Sequence, residues 1–129
     1  MLYIDIDKFN FYSINEIKDG KEEIMYWTQY DFSFKKRLHL YKNNFEIGYV
    51  QYDILSSNNC NECFDSNDKK IEYNDYKIIN VIDENNYEIE LLGEIKAIIT
   101  KSNNILEISI KDEKLVDDIV LLVFKNIKV

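Results

Sequence analysis

The chain has 129 residues, 46% of them hydrophobic and 14% aromatic, with three glycines and no proline. That length suits one domain with its own core, and the aromatic content excludes a disordered chain and the collagen-like or Pro/Gly-rich classes. Sixteen basic against twenty-four acidic residues leave a net charge of −8, which disfavours nonspecific nucleic-acid binding, where neutralised phosphates supply most of the affinity.

The N-terminus, MLYIDIDKFNFYS, carries Asp5 and Asp7 inside an apolar alternation. It lacks the basic start and unbroken apolar stretch of a secretory signal. The longest purely apolar run is Ile119–Phe124, too short to span a bilayer, so a cytoplasmic protein is expected, with no integral membrane segment.

Period-2 alternation dominates the pattern and predicts strands over about 2–110. Leu2, Ile4 and Ile6 alternate with Tyr3, Asp5 and Asp7, and Leu38 and Leu40 with Arg37, His39 and Tyr41. Phe45, Ile47 and Tyr49 oppose Glu46 and Gly48. Tyr87, Ile89 and Leu91 then oppose Glu88 and Glu90, and Leu106, Ile108 and Ile110 oppose Glu107, Ser109 and Lys111. One apolar and one polar face per run is the signature of an antiparallel sheet buried on one side. Asn-Asn pairs recur at Asn43–Asn44, Asn85–Asn86 and Asn103–Asn104. Asparagine tolerates the left-handed backbone of tight hairpins, so the pattern predicts hairpins over Arg37–Gln51, Tyr76–Leu91 and Glu94–Ile110. Gly48 and Gly93 suggest a bulge or bend. Ser56–Lys70 has almost no apolar residues and reads as one long loop within a single domain spanning 1–129.

The C-terminal stretch KDEKLVDDIVLLVFKNIKV breaks the alternation. Asp112 is placed as an N-cap and Glu113 complements the first-turn dipole. A helix over about 113–124 follows, and Ile119–Phe124 is apolar in every direction around it. Such a helix belongs inside a fold. The rival reading is a buried strand.

Two segments are more specific. DFSFKKRLHLYKNNFEIGYVQYDILS (Asp31–Ser56) and NYEIELLGEIKAIITKSNNILEISIKDEKLVDDIVLLVF (Asn86–Phe124) resemble the LURP-one-related family of the tubby C-terminal-like superfamily. The first has the family's Phe-Ser-basic-basic-Leu segment, hairpin and Leu-Ser ending. The second has its last hairpins and terminal helix. Together they cover about half the chain, which looks like a short, bacterial-type member. CNECFDSNDKK stands where the family has an aromatic- and Pro-containing segment, and an Asn-Asn turn replaces a common aromatic-Gly-Asp turn. The resemblance implies a mainly β fold, an antiparallel tubby-like barrel of about 10–12 strands wrapped around a buried C-terminal helix, with a middle hairpin missing.

No catalytic constellation is visible, and no enzyme and no cofactor are expected. His39 is the only histidine, on the expected solvent face of a strand. Ser33, Ser56 and Ser57 lack a nucleophile-elbow context. The acid pairs Asp5/Asp7, Glu22/Glu23 and Asp117/Asp118 read as solvated surface. Cys60 and Cys63 are the only cysteines. They read as reduced loop residues, with a metal site shared between two chains as the weaker candidate, since zinc needs four ligands. Lys35, Lys36 and Arg37 form the one basic cluster and the candidate ligand site. The resemblance adds that tubby relatives hold phosphoinositide headgroups through basic residues on the barrel wall. The function expected is a non-enzymatic binding or interaction module of unknown ligand, with a small-ligand or headgroup-binding barrel and an acidic, immunity-type partner-neutralising protein as alternatives. Its partners are expected to be a protein or a small anionic ligand, with peripheral lipid contact less favoured at this net charge.

Overall fold

Ten strands account for nearly all the regular structure in a computed structural model that describes residues 1–31, 36–52, 61–70 and 75–127. They are β1 (Leu2–Asp5), β2 (Glu16–Asp19), β3 (Ile24–Asp31), β4 (Lys36–Lys42) and β5 (Phe45–Tyr52), followed by β6 (Glu62–Asp65), β7 (Tyr76–Asp83), β8 (Asn86–Leu91), β9 (Glu94–Ser102) and β10 (Ile105–Ile110). A 3-10 turn (Glu113–Leu115) leads into α1 (Val116–Asn126). The strands form one antiparallel sheet in the order β6-β5-β4-β3-β2-β1-β10-β9-β8-β7. β1 therefore joins two meanders: it pairs β10 through Leu2↔Ile108 to Asp5↔Ile105, and β2 through Leu2↔Asp19 and Tyr3↔Lys18. The sheet curls around α1 as the expected barrel, with β6 and β7 as its two edges.

The alternation read from the sequence places the core in most strands. Leu2, Ile4, Leu38, Leu40, Tyr87, Ile89, Leu106 and Ile108 are all buried. Every residue from Ile119 to Phe124 is buried as well. A helix without a polar face is stable only when all its sides are enclosed, and the curled sheet encloses this one. Asp112 caps its entry by accepting from the Lys114 N–H at 3.1 Å, so the end of the chain is helix rather than strand.

Strand β5 inverts the expected face. Phe45 is 76% exposed, while Val50 and Tyr52 are buried inside. A bulge opposite Leu40 and Tyr41 shifts the register, so that Leu40 faces Gly48 and Tyr41 faces Glu46. The extra residue turns Tyr49 to the outer face of the sheet, where its ring is still buried, 4% exposed, by stacking on Phe64 at 4.9 Å. Gly48 then lies under α1, with no room for a side chain: a Cβ there would overlap the Phe64 carbonyl and meet Leu121 Cδ1 at 3.2 Å.

The turns follow the asparagine rule in two cases of three. Asn43 (φ 56) and Asn103 (φ 56) take the left-handed conformation. The third turn is Glu84–Asn85, one residue earlier than expected, between the paired Asp83 and Asn86. It is closed by Asp83, which accepts from the Asn85 N–H at 2.8 Å. The presumed long loop is also shorter than expected, because its described part contains β6, paired to β5 from Gly48↔Asp65 to Gln51↔Glu62.

Candidate functional site

The barrel interior belongs to α1, and polar side chains fasten it at both ends. At the N-terminal end the Tyr26 hydroxyl donates to the Asp117 carboxylate and Tyr76 donates to Asp118 at 3.3 Å. Lys42 Nζ lies 3.9 Å from Asp117. The acid pair that reads as solvated surface is therefore the helix's anchor to the wall. At the other end the Tyr52 hydroxyl donates to the Phe124 carbonyl at 2.7 Å, and Asn61 Nδ2 to the Lys125 carbonyl at 2.8 Å. Such partners satisfy carbonyls that a helix terminus leaves open. Burial, followed by the hydrogen bond to Asp117, holds the Tyr26 hydroxyl well above the ordinary phenol range. Burial likewise raises Tyr52 and Tyr87, and with Asp118 pushes Tyr76 up to about 12. Asp118 itself is raised by burial, against the lowering pull of the Tyr76 hydroxyl.

The basic cluster is divided by strand geometry. Lys36 and Arg37 are consecutive in β4 and point to opposite faces. Lys36 Nζ sits 4.4 Å above the ring of Phe11 at the barrel end. Arg37 lies on the outer wall over Tyr49 at 4.9 Å and donates from Nε to Gln51 at 3.2 Å. Lys35 lies outside the described residues. His39 is on the outer wall as expected, yet its side chain is only 18% exposed. Its Nε2 is 3.1 Å from Asp31, its Nδ1 contacts Glu46, and its ring packs on Tyr49 at 5.0 Å. It ties β3, β4 and β5 together.

Cys63 is a core residue of β6, 1% exposed, with its thiol 3.7 Å from the Leu121 carbonyl. It is not a loop cysteine. Cys60 lies outside the described residues. Among the described residues no three His, Cys, Asp or Glu side chains are grouped to hold a metal, and no helix is long and apolar enough to cross a membrane.

A cleft of about 800 Å³ opens on the outer wall between β1, β2 and β10. Its cause is local. The β1–β2 ladder ends after Tyr3↔Lys18, and Asp5 and Glu16, two residues further along each strand and on the same face, both line the opening. The chain between them, residues 6–15, is knotted by Asn15. Asn15 Oδ1 accepts from the Asn10 N–H at 3.0 Å. Its Nδ2 donates to the Asn10 carbonyl at 2.9 Å, the Ser13 carbonyl at 3.2 Å and Thr28 Oγ1 at 3.0 Å. These bonds satisfy a nearly buried amide. From this loop Phe11 plugs the barrel end, edge-on to Tyr52 at 5.2 Å and Tyr30 at 5.1 Å. Of the cleft's carboxylates the sequence singles out only Asp5 and Glu22, as members of acid pairs expected to be solvated surface. Tyr3 and Asp5 are legible there as the outward face of β1, but Glu16 and Lys18 fall in a four-residue strand (EIKD) with one apolar residue.

No protein-family model matches the sequence, and no curated protein matches it. An X-ray structure of the Arabidopsis thaliana protein AT5G01750 has the same fold, with a TM-score of 0.55 at 10% identity. The match covers 95% of this chain and 88% of that one. The likeness extends the barrel-around-helix reading across nearly the whole chain.

Proposed function

We propose that this chain is a non-catalytic binding module of the LURP-one-related type that engages its ligand on the outer wall of the barrel. The carrying observation is the filled interior: Ile119–Phe124 are between 0 and 4% exposed, so the volume that a ligand-binding barrel keeps for its ligand is taken by the chain's own helix. The β1–β2–β10 cleft, by contrast, lies outside. Its volume falls within the roughly 300–1,000 Å³ usual for ligand sites. The Arabidopsis likeness supports the fold on which this reading rests. The headgroup alternative needs several cations converging on one anion, and Lys36 and Arg37 diverge instead.

The test is an unbiased selection of peptides on the intact protein, with bound peptides mapped by amide NMR. Shifts on the outer wall support the reading. Shifts at Tyr26, Tyr52 and the residues of α1, with the outer wall unmoved, would show that the interior opens to ligand and would overturn it.

A further inference from the structure

We infer that the β1–β2–β10 cleft is a docking site for an extended peptide segment bearing lysine or arginine side chains, an inference that rests on the outer-wall reading above. The site is defined by its volume of about 800 Å³, and its charges select the occupant. Glu16 and Glu107 line it and form no ion pair among the described residues. Asp5, Asp19 and Glu22 bring the lining carboxylates to five, against Lys8 and Lys18.

The row across the wall is ordered by register. Glu107 pairs with Tyr3 on one side of β1, and Tyr3 with Lys18 on the other. Ile105 adds an apolar surface within the cleft, and Ile14, 63% exposed, stands at its margin. Carboxylates beside an aromatic and two isoleucines suit an extended segment that turns cationic side chains to the wall, which in a strand are every second residue. Net charge of −8 favours encounter with a cation and opposes an anionic ligand at the same place.

The intact protein is titrated with a short peptide of alternating lysine and tyrosine, and with its glutamate–tyrosine counterpart, while amide NMR shifts are recorded. The basic peptide should move Tyr3, Asp5, Glu16, Lys18 and Glu107, and the acidic one should move none of them. The double variant Glu16→Lys/Glu107→Lys should bind the basic peptide more weakly by roughly tenfold or more with an otherwise native spectrum. Glu90→Lys, a charge reversal on β8 away from the cleft, should stay within about twofold. Absence of binding, shifts scattered over the acidic surface, or equal weakening in both variants would overturn the inference. If the unbiased selection yields peptides without cations that map to the outer wall, the basic-peptide inference falls while the outer-wall reading stands. Peptides that map to the interior overturn both.

Discussion

Three glycines in one chain offer a series in which each alanine substitution tests a different physical cause. At Gly48 the new methyl overlaps the Phe64 carbonyl and presses on Leu121 Cδ1 at 3.2 Å. The first obstacle is backbone, so no rotamer change relieves it. β5 and β6 must separate from their usual spacing of about 4.8 Å, and the Cys63 contact with the Leu121 carbonyl at 3.7 Å is disturbed with them. Overpacking against side chains costs about 1–3 kcal/mol, and the rigid partner places Gly48→Ala at about 3 kcal/mol or more. At Gly93 nothing lies within 4 Å, but φ is +85, so alanine meets only the left-handed penalty of about 1–2 kcal/mol. At Gly20 nothing lies within 4 Å, and the change should stay within about 0.5 kcal/mol. Urea denaturation at constant slope reads all three. A Gly48→Ala protein as stable as the parent, or less perturbed than Gly93→Ala, would show that α1 and β6 do not pack over Gly48 as described.

Leu122→Asp removes a buried side chain worth roughly 2–3 kcal/mol and buries an unpaired charge, so it should unfold the domain; circular dichroism of a soluble, native-like variant would contradict the enclosed helix. Cys63→Ser should cost about 1–3 kcal/mol, read from the denaturant midpoint, because it puts a hydroxyl into the core. Stability should also fall on alkalisation: Tyr26, Tyr52 and Tyr87 keep their protons in the folded state to higher pH than the unfolded value of about 10. Their contribution is complete below that value and is lost as pH rises toward the folded values. The loss is about 1.4 kcal/mol per buried tyrosine at about pH 11, or about 4 kcal/mol for the three. Urea midpoints measured across that range should drop, and Tyr52→Phe should shrink the drop; a flat profile would refute it.

What the sequence made legible was whatever obeys a period. Leu38 and Leu40, Tyr87 and Ile89, and Leu106 and Ile108 alternate without interruption, and their strands, faces and hairpins follow. The apolar wheel of Ile119–Phe124 likewise foretold an enclosed helix. The β5 face was hidden because one extra residue at the bulge inverts the parity of all that follows, and parity is the only information alternation carries. β6 was hidden because Glu62, Cys63, Phe64 and Asp65 are too few to establish a period. The separation of Lys36 from Arg37 was implicit in the strand assignment itself, since neighbours in a strand cannot share a face. The cleft was the least legible feature, because it arises where a ladder stops, and pairing across ten or more residues leaves no local pattern.

The fastening of α1 explains how an interior crowded with tyrosines can serve as a core. Tyr26 and Tyr52 are 0 and 4% exposed, and a buried hydroxyl without a partner costs roughly 1–3 kcal/mol. Each is satisfied by a group that the helix must expose anyway: a first-turn carboxylate for Tyr26 and a last-turn carbonyl for Tyr52. These bonds work only at one axial position and one rotation of the helix, because sliding α1 by a turn would leave both hydroxyls and both helical acceptors unpaired. Apolar packing alone would tolerate several positions of a helix that is greasy on every side. The polar ends therefore select one, and with the helix fixed, Gly48 and Cys63 lie where its Leu121 turn requires them. A barrel filled in this way gives its interior to its own helix, which is why the proposed ligand site is on the wall, where β1 and β2 part.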